Sequence, residues 1–302
     1  MAQEAAIPVG VRKARRHWAL EFLVRLMKET PLGLIGGVIV LVMTILAVFA
    51  NVIAPYGYHE THYADALVAP NTSYLLGTDY LGRDQLSRII YGARISMVVA
   101  VAAVGLGTIY AVVLGIGSAY YGGLADSLIQ RVVDAWMAFP QLLIMLVISS
   151  VLGPGLFNIV MVLSTFGIRE SRIVRGAALS VKENVYVEAA RAMGCSPWRI
   201  MARYLLPNVM APIIIVTTVR FGAVILTEST LSFLGYGIPP PFPSWGRMLS
   251  EESRLYMYRA PWLAIWPGIA LTSAVWGFNV FGDAVRDLLD PRMRGGGAGR
   301  YR

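Results

Sequence analysis

Two charged residues interrupt an apolar run: Arg220 and Glu228 both fall within residues 209–234. An ionisable side chain among hydrocarbon is costly, so each reads either as a contact to another helix or as lining of a water-filled path. Eight positions apart on a helix, they stand about 12 Å apart along its axis and do not pair with each other. Elsewhere the chemistry is thin. His17, His59 and His62 are too scattered for a metal site, although His59 and His62 are three apart. Cys195 is the sole cysteine, which excludes an intrachain disulfide or a cysteine-based cluster. No HExxH, no GxSxG and no His-Asp pair of mechanical spacing occurs, so an enzyme embedded in the membrane has no support. A phosphate-binding loop ends in Gly-Lys-Ser/Thr, yet Lys13, Lys28 and Lys182 follow Arg12, Met27 and Val181. Any dependence on ATP therefore requires another subunit.

The elements that carry these residues are set by composition. The chain has 302 residues, 56% of them hydrophobic, and charged groups make up only 15%. Ordinary soluble domains are roughly 45–50% apolar. A mean hydropathy of +0.60 with charges clustered between apolar runs indicates a membrane protein. The net charge of +8 is explained by the bias of basic residues toward cytoplasmic loops, not by nucleic acid.

Apolar runs at about 31–54, 95–119, 132–152, 155–168, 209–234 and 261–282 predict six spans, each near the roughly 20 residues that cross a bilayer, the fourth being the weakest. Unpaired backbone groups are not tolerated in lipid, so the spans are helices. The fold class is an all-α, six-helix transmembrane bundle. The first run follows Arg12, Lys13, Arg15, Arg16, Arg25 and Lys28, and it exceeds the 7 to 15 residues of a signal peptide's apolar core, so it reads as a retained span. The expected organisation is a cytoplasmic segment 1–30, a transmembrane domain 31–283 and a cytoplasmic tail 284–302. Outer loops fall at about 55–92 and 235–260, with a basic cytoplasmic loop at about 169–207. That loop and the tail hold about twice the arginine and lysine of the outer loops, as the positive-inside bias requires. Along the second span Ala103, Gly107, Ala111, Gly115 and Ala119 recur every four residues, a ridge of small side chains that packs against another helix of this chain or of a second membrane subunit.

The basic loop contains "EAARAMGCSPWRIMARYLLPN" at 188–208. Asn184 caps a short helix in which Tyr186, Ala189, Ala190 and Met193 share one face. Gly194 ends it in the left-handed conformation, and Ser196 with Pro197 starts a second helix bearing Trp198, Met201, Ala202 and Leu205 on one face, which Pro207 closes. The alanine-rich face is left free, with Glu188 and Arg191 as flanking charges. Pattern alone leaves two readings open: docking to a protein partner, or an amphipathic helix on lipid headgroups.

These residues resemble the EAA loop of membrane subunits in binding-protein-dependent ABC importers. With "LGTDYLGRDQLSRIIYGARIS" (76–96), "LSFLGYGIPPPFPSWGRML" (231–249) and "FGDAVRDLLDPRMR" (281–294), the chain resembles the C-type permease of the dipeptide, oligopeptide and nickel importers from about residue 25 to 294. The resemblance implies the type I importer fold, a location in the bacterial or archaeal plasma membrane, and a cytoplasmic coupling helix that meets an ATPase through Tyr186, Glu188, Ala189, Ala190, Arg191, Met193 and Gly194. It implies a B-type permease partner, one or two ABC ATPase subunits that bind ATP and Mg, and an extracytoplasmic binding protein. This chain itself would bind no cofactor. Short peptides are the expected cargo. Tyr204 departs from the histidine frequent in the family, and "FGIRESRIVRG" replaces a tryptophan-containing approach to the loop. Trp245 and Arg247, residue types favoured at interface hot spots, are candidates for receiving the binding protein or for packing against the chain's own helix ends. Arg220 and Glu228 are candidates for the translocation path. An ion-coupled secondary transporter is the alternative function.

Overall fold

The computed structural model describes residues 18–289. Among the described residues the chain is helical, with no strand and one isolated bridge between Thr78 and Asp84. The elements used below are α1 (Trp18–Glu29), α2 (Pro31–Val48), α3 (Gln85–Tyr121), α4 (Gly123–Met137), α5 (Gln141–Leu152), α6 (Leu156–Ser164), α7 (Phe166–Lys182), α8 (Val185–Ala192), α9 (Pro197–Ile200), α10 (Met210–Phe233), α11 (Trp245–Met248) and α12 (Trp262–Leu289).

Among the described residues four helices are long and apolar enough to cross a membrane, namely α2, α3, α10 and α12. The pair α4 and α5 makes a fifth if taken as one broken span, for they meet at a bend of 89°. The expected count of six spans is not reproduced as six long helices, and the differences lie in two places. The run at 132–152 is broken at Pro140, which has no N–H to donate and biases the residue before it away from the helical region. The run at 155–168 is interrupted at Thr165, so that Leu156–Ser164 forms a separate helix before the more polar α7 begins at Phe166. Residues 85–92, expected in an outer loop, form the first turns of α3, capped by the Asp84 carboxylate, which accepts from Ser87 N at 2.7 Å.

At 37 residues α3 runs about 55 Å and forms the spine. Its ridge of Ala103, Gly107, Ala111, Gly115 and Ala119 is buried within this chain. A Cβ on Gly167 would stand 1.8 Å from Gly107 O, and one on Gly115 would stand 2.6 Å from Ser171 O, so the ridge receives α6 and α7. That settles the open choice of its partner in favour of intrachain packing. On the other side α2 lies on α12, where a Cβ on Gly33 would meet Ala284 Cβ at 2.2 Å. Phe221 of α10 stacks on Phe278 of α12 at 5.3 Å. Outward-facing Val38, Leu41, Val101, Val113 and Leu226 are exposed, as expected of a surface covered by lipid.

Helix ends are closed by cations from neighbours. Arg94 donates to Ala47 O at 2.7 Å and Val48 O at 3.0 Å, satisfying the C-terminus of α2. Lys182 does the same for α3, donating to Ala119 O at 2.8 Å and Tyr120 O at 2.9 Å. Arg83 pairs with Asp79 at 2.6 Å, and Arg88 lies 3.4 Å from the same carboxylate, all three buried. Several arginines that the positive-inside count treats as loop charges are thus structural.

Candidate functional site

The segment from Asn184 to Asn208 is a helix, a tight turn and a second helix. Asn184 holds the N-cap position of α8, but its side chain turns backward and donates to Val181 O at 2.9 Å, closing α7 instead. At the other end Gly194 has φ +77°, Cys195 N donates to Ala190 O at 3.1 Å and Gly194 N to Arg191 O at 3.0 Å. This pair of bonds is the Schellman closure, which needs a left-handed residue where glycine stands. Ser196 then caps α9 by accepting from Arg199 N at 3.4 Å. Pro207 does not close the second helix. Residues Met201–Leu205 widen into a π turn, and helix resumes over Leu206–Asn208. A π turn at this point lets the chain pass a residue that cannot make the usual bond.

Burial shifts the expected face. Tyr186, Glu188, Ala189, Arg191 and Met193 are exposed, whereas Val187 and Ala190 are buried, Ala190 completely. Ala190 is thus part of this chain's own packing and not of the free face. The exposed apolar side chains are instead Val185, Tyr186 and Met193 of α8 and Trp198 of α9, the last two each 75% exposed, Trp198 beside Ile116 and Tyr121 of α3. Glu188 and Arg191 are not a pair: the Arg191 guanidinium lies 5.7 Å over the Tyr120 ring at the end of α3.

Directly before the segment, α7 is tied to three helices by polar contacts. Arg175 donates to Asp126 of α4, with Nε 2.7 Å from Oδ1. Arg172 pairs with Asp134 of the same helix, and Glu170 pairs with Arg220 of α10. Lys182 closes α3 as described. Sequence reading left these partners unassigned because they are joined across 38 to 50 positions. The available signal was that Asp126 and Asp134 are the only acidic residues in the α4 sequence, facing a stretch rich in arginine.

The remaining candidates separate. Arg220 and Glu228 are both buried on α10 with partners on other helices. Glu228 accepts from Ser232 Oγ at 2.7 Å, from Ser229 Oγ at 3.3 Å and from Ser96 Oγ of α3 at 3.5 Å. It acts as a hydrogen-bonded tie between α3 and α10. Trp245 is 1% exposed, donates to Ile89 O at 3.1 Å and fills the space left by Gly92, where an added Cβ would lie 2.9 Å from Trp245 Cδ1. It is a core residue, which corrects its candidacy as a docking side chain. Arg247 is half-buried and reaches Ile238 O at 3.4 Å.

Residues 111–295, more than half the chain and including the entire turn segment, match the model of the family described as binding-protein-dependent transport system inner membrane component. The chain belongs to this family. Residues 22–70 also match the N-terminal transmembrane domain of oligopeptide transport permease C. The permease is 38% identical to the dipeptide transport system permease protein of Alkalihalophilus pseudofirmus, over 89% of this chain and 88% of that protein. It is 37% identical to the glutathione transport system permease protein of Pectobacterium atrosepticum, over 97% of each. A putative peptide transport system permease protein of Brucella suis is 40% identical, over 89% of this chain and 90% of that protein. Membership decides for an importer permease over the ion-coupled carrier, and bears out the resemblance carried by the four sequence blocks.

Proposed function

We propose that this permease imports short peptides as half of a transmembrane path completed by a B-type membrane subunit. ATP and Mg act on separate cytoplasmic ATPase subunits, solute arrives from an extracytoplasmic binding protein, and this chain catalyses no reaction and binds no cofactor. Both termini and the segment 184–208 lie in the cytoplasm. Peptide as cargo is supported by relatives of 37–40% identity whose names are dipeptide, glutathione and peptide permeases.

The observation that carries the coupling role is the exposure of Val185, Tyr186, Met193 and Trp198 on a segment held by a fixed turn and joined without a linker to α7. Exposed apolar side chains on a rigid knob fit a protein cleft. Because α7 is bonded to α3, α4 and α10, a displacement of the knob acts on all three. Closure of the ATPases around ATP would then shift the population of inward- and outward-open states. The test is Met193→Glu with Trp198→Ala, two exposed changes that leave the fold intact. Co-purification of the ATPase with the mutant membrane pair is expected to fall by about tenfold or more, the loss of two interface anchors. Unchanged ATPase capture and unchanged peptide uptake would remove the coupling assignment.

A further inference from the structure

A cavity of about 680 Å³ opens beside α7 and α10, and its polar lining is lopsided: Arg169, Arg172, Arg220 and Arg286 against the single carboxylate of Glu170, with the Gln141 amide on the wall. Arg172 is taken up by Asp134 and Arg220 by Glu170. Among the described residues no carboxylate meets Arg169 or Arg286. Arg220 is only 3% exposed, and its Nε and Nη1 have no hydrogen-bond partner; the buried Gln141 Nε2 has none either. Buried N–H groups without acceptors are costly, and several lining one recess, beside a Glu170 Oε2 that also makes no hydrogen bond, describe a place for a further acceptor.

Its position and size narrow that acceptor. The α10 residues of the wall run from Ile215 to Ala223, so the cavity extends about 12 Å along the span, with Arg220 toward the end farther from Met210. Phe166, Ile173 and Val216 make the rest of the wall apolar, and the volume is within the roughly 300–1,000 Å³ of small-molecule sites. The one anion that the structure does place on Arg220 is a carboxylate, that of Glu170. A second carboxylate offers the same guanidinium the same kind of partner.

We propose that this cavity binds the terminal carboxylate of a peptide in transit, which takes Arg220 in exchange for Glu170 while Arg169 and Arg172 flank it. The exchange leaves the buried cation paired at every stage. Glu170 then acts as an internal competitor that returns to Arg220 and expels the peptide toward the turn-segment side. This site rests on the reading of the permease as a peptide importer.

The test uses the complete importer in phosphatidylcholine nanodiscs, with Cys195→Ala and a fluorophore on Val216→Cys, titrated without binding protein. Trialanine should change the signal, and trialanine amide should bind about tenfold more weakly, the loss of one charge-assisted hydrogen bond. Arg220→Gln should weaken trialanine to the same degree. Glu170→Gln should strengthen it several-fold, a gain that a misfolded chain would not show. Uptake by proteoliposomes with the binding protein is measured in parallel. Normal uptake with no probe response, or with equal responses to acid and amide, refutes the site and leaves peptide import standing. A response that follows phosphatidylglycerol content and ignores peptide assigns the cavity to lipid headgroups and overturns the proposal. Failure to take up any peptide refutes the import reading, and the site with it.

Discussion

Replacing Gly194 isolates the backbone of the turn from its contacts. An added Cβ there would meet nothing within 4 Å, so no side-chain clash enters. What remains is φ +77°, which costs an L-residue about 1–2 kcal/mol, more when β-branched, and which asparagine tolerates best after glycine. Relaxing φ would also break the bonds from Cys195 N to Ala190 O and from Gly194 N to Arg191 O, each worth about 1 kcal/mol net. For Gly194→Val the native turn should lose about 2–3 kcal/mol, a factor of roughly 30 to 150 in its local population. Asn, Ala and Val should therefore lower ATPase co-purification and binding-protein-stimulated hydrolysis in that order of severity. Pairing with the other membrane subunit should persist, because the added Cβ meets no other part of the chain. Gly176 is the control: it stands inside α7 with open space around its Cβ position and no positive φ, so Gly176→Ala should be silent or stabilise by about 0.5–1 kcal/mol. Full ATPase capture by Gly194→Val, or an equal loss with Gly176→Ala, would refute the turn as a determinant of coupling.

Trp245→Ala should lower the melting point of the purified permease by the equivalent of about 3–5 kcal/mol, since it empties a core site and removes the indole's hydrogen bond to Ile89 O, whereas Arg247→Ala should stay within about 0.5 kcal/mol in the same melt. Glu228→Gln keeps hydrogen bonding to Ser96, Ser229 and Ser232 and should be tolerated. Glu228→Ala leaves those hydroxyls unpaired and should cost about 3 kcal/mol or more, read as lost yield of folded protein. Tyr74 donates to Asp65 Oδ2 at 2.9 Å, and burial followed by that bond raises its phenol from 10.0 to about 12. Its contribution is present below pH 10 and is lost as pH rises through about 12; ultraviolet titration of Tyr74→Phe against the parent should remove one phenol that ionises near pH 12.

Features set by neighbours in the chain were legible in the sequence. The helical membrane class follows from long apolar runs, because lipid leaves the backbone no other partner. The turn of the EAA segment follows from Gly194, Ser196 and Pro197, whose effects act within four residues. The bend at Pro140 carried the same kind of local signal, but hydropathy averaged over the run concealed it. Only the tertiary structure decided which side of α8 is free, because Ala189 and Ala190 are alike in sequence and differ in what the rest of the chain lays over them. It also decided that Trp245 is core, since the space it fills is made by Gly92 on another helix. The pairing of Arg220 with Glu170, and of Asp126 and Asp134 with arginines of α7, was decided there too. Charge and spacing name the residues able to pair, but the crossing of α3 and α7 at Gly107 and Gly167 determines which of them meet.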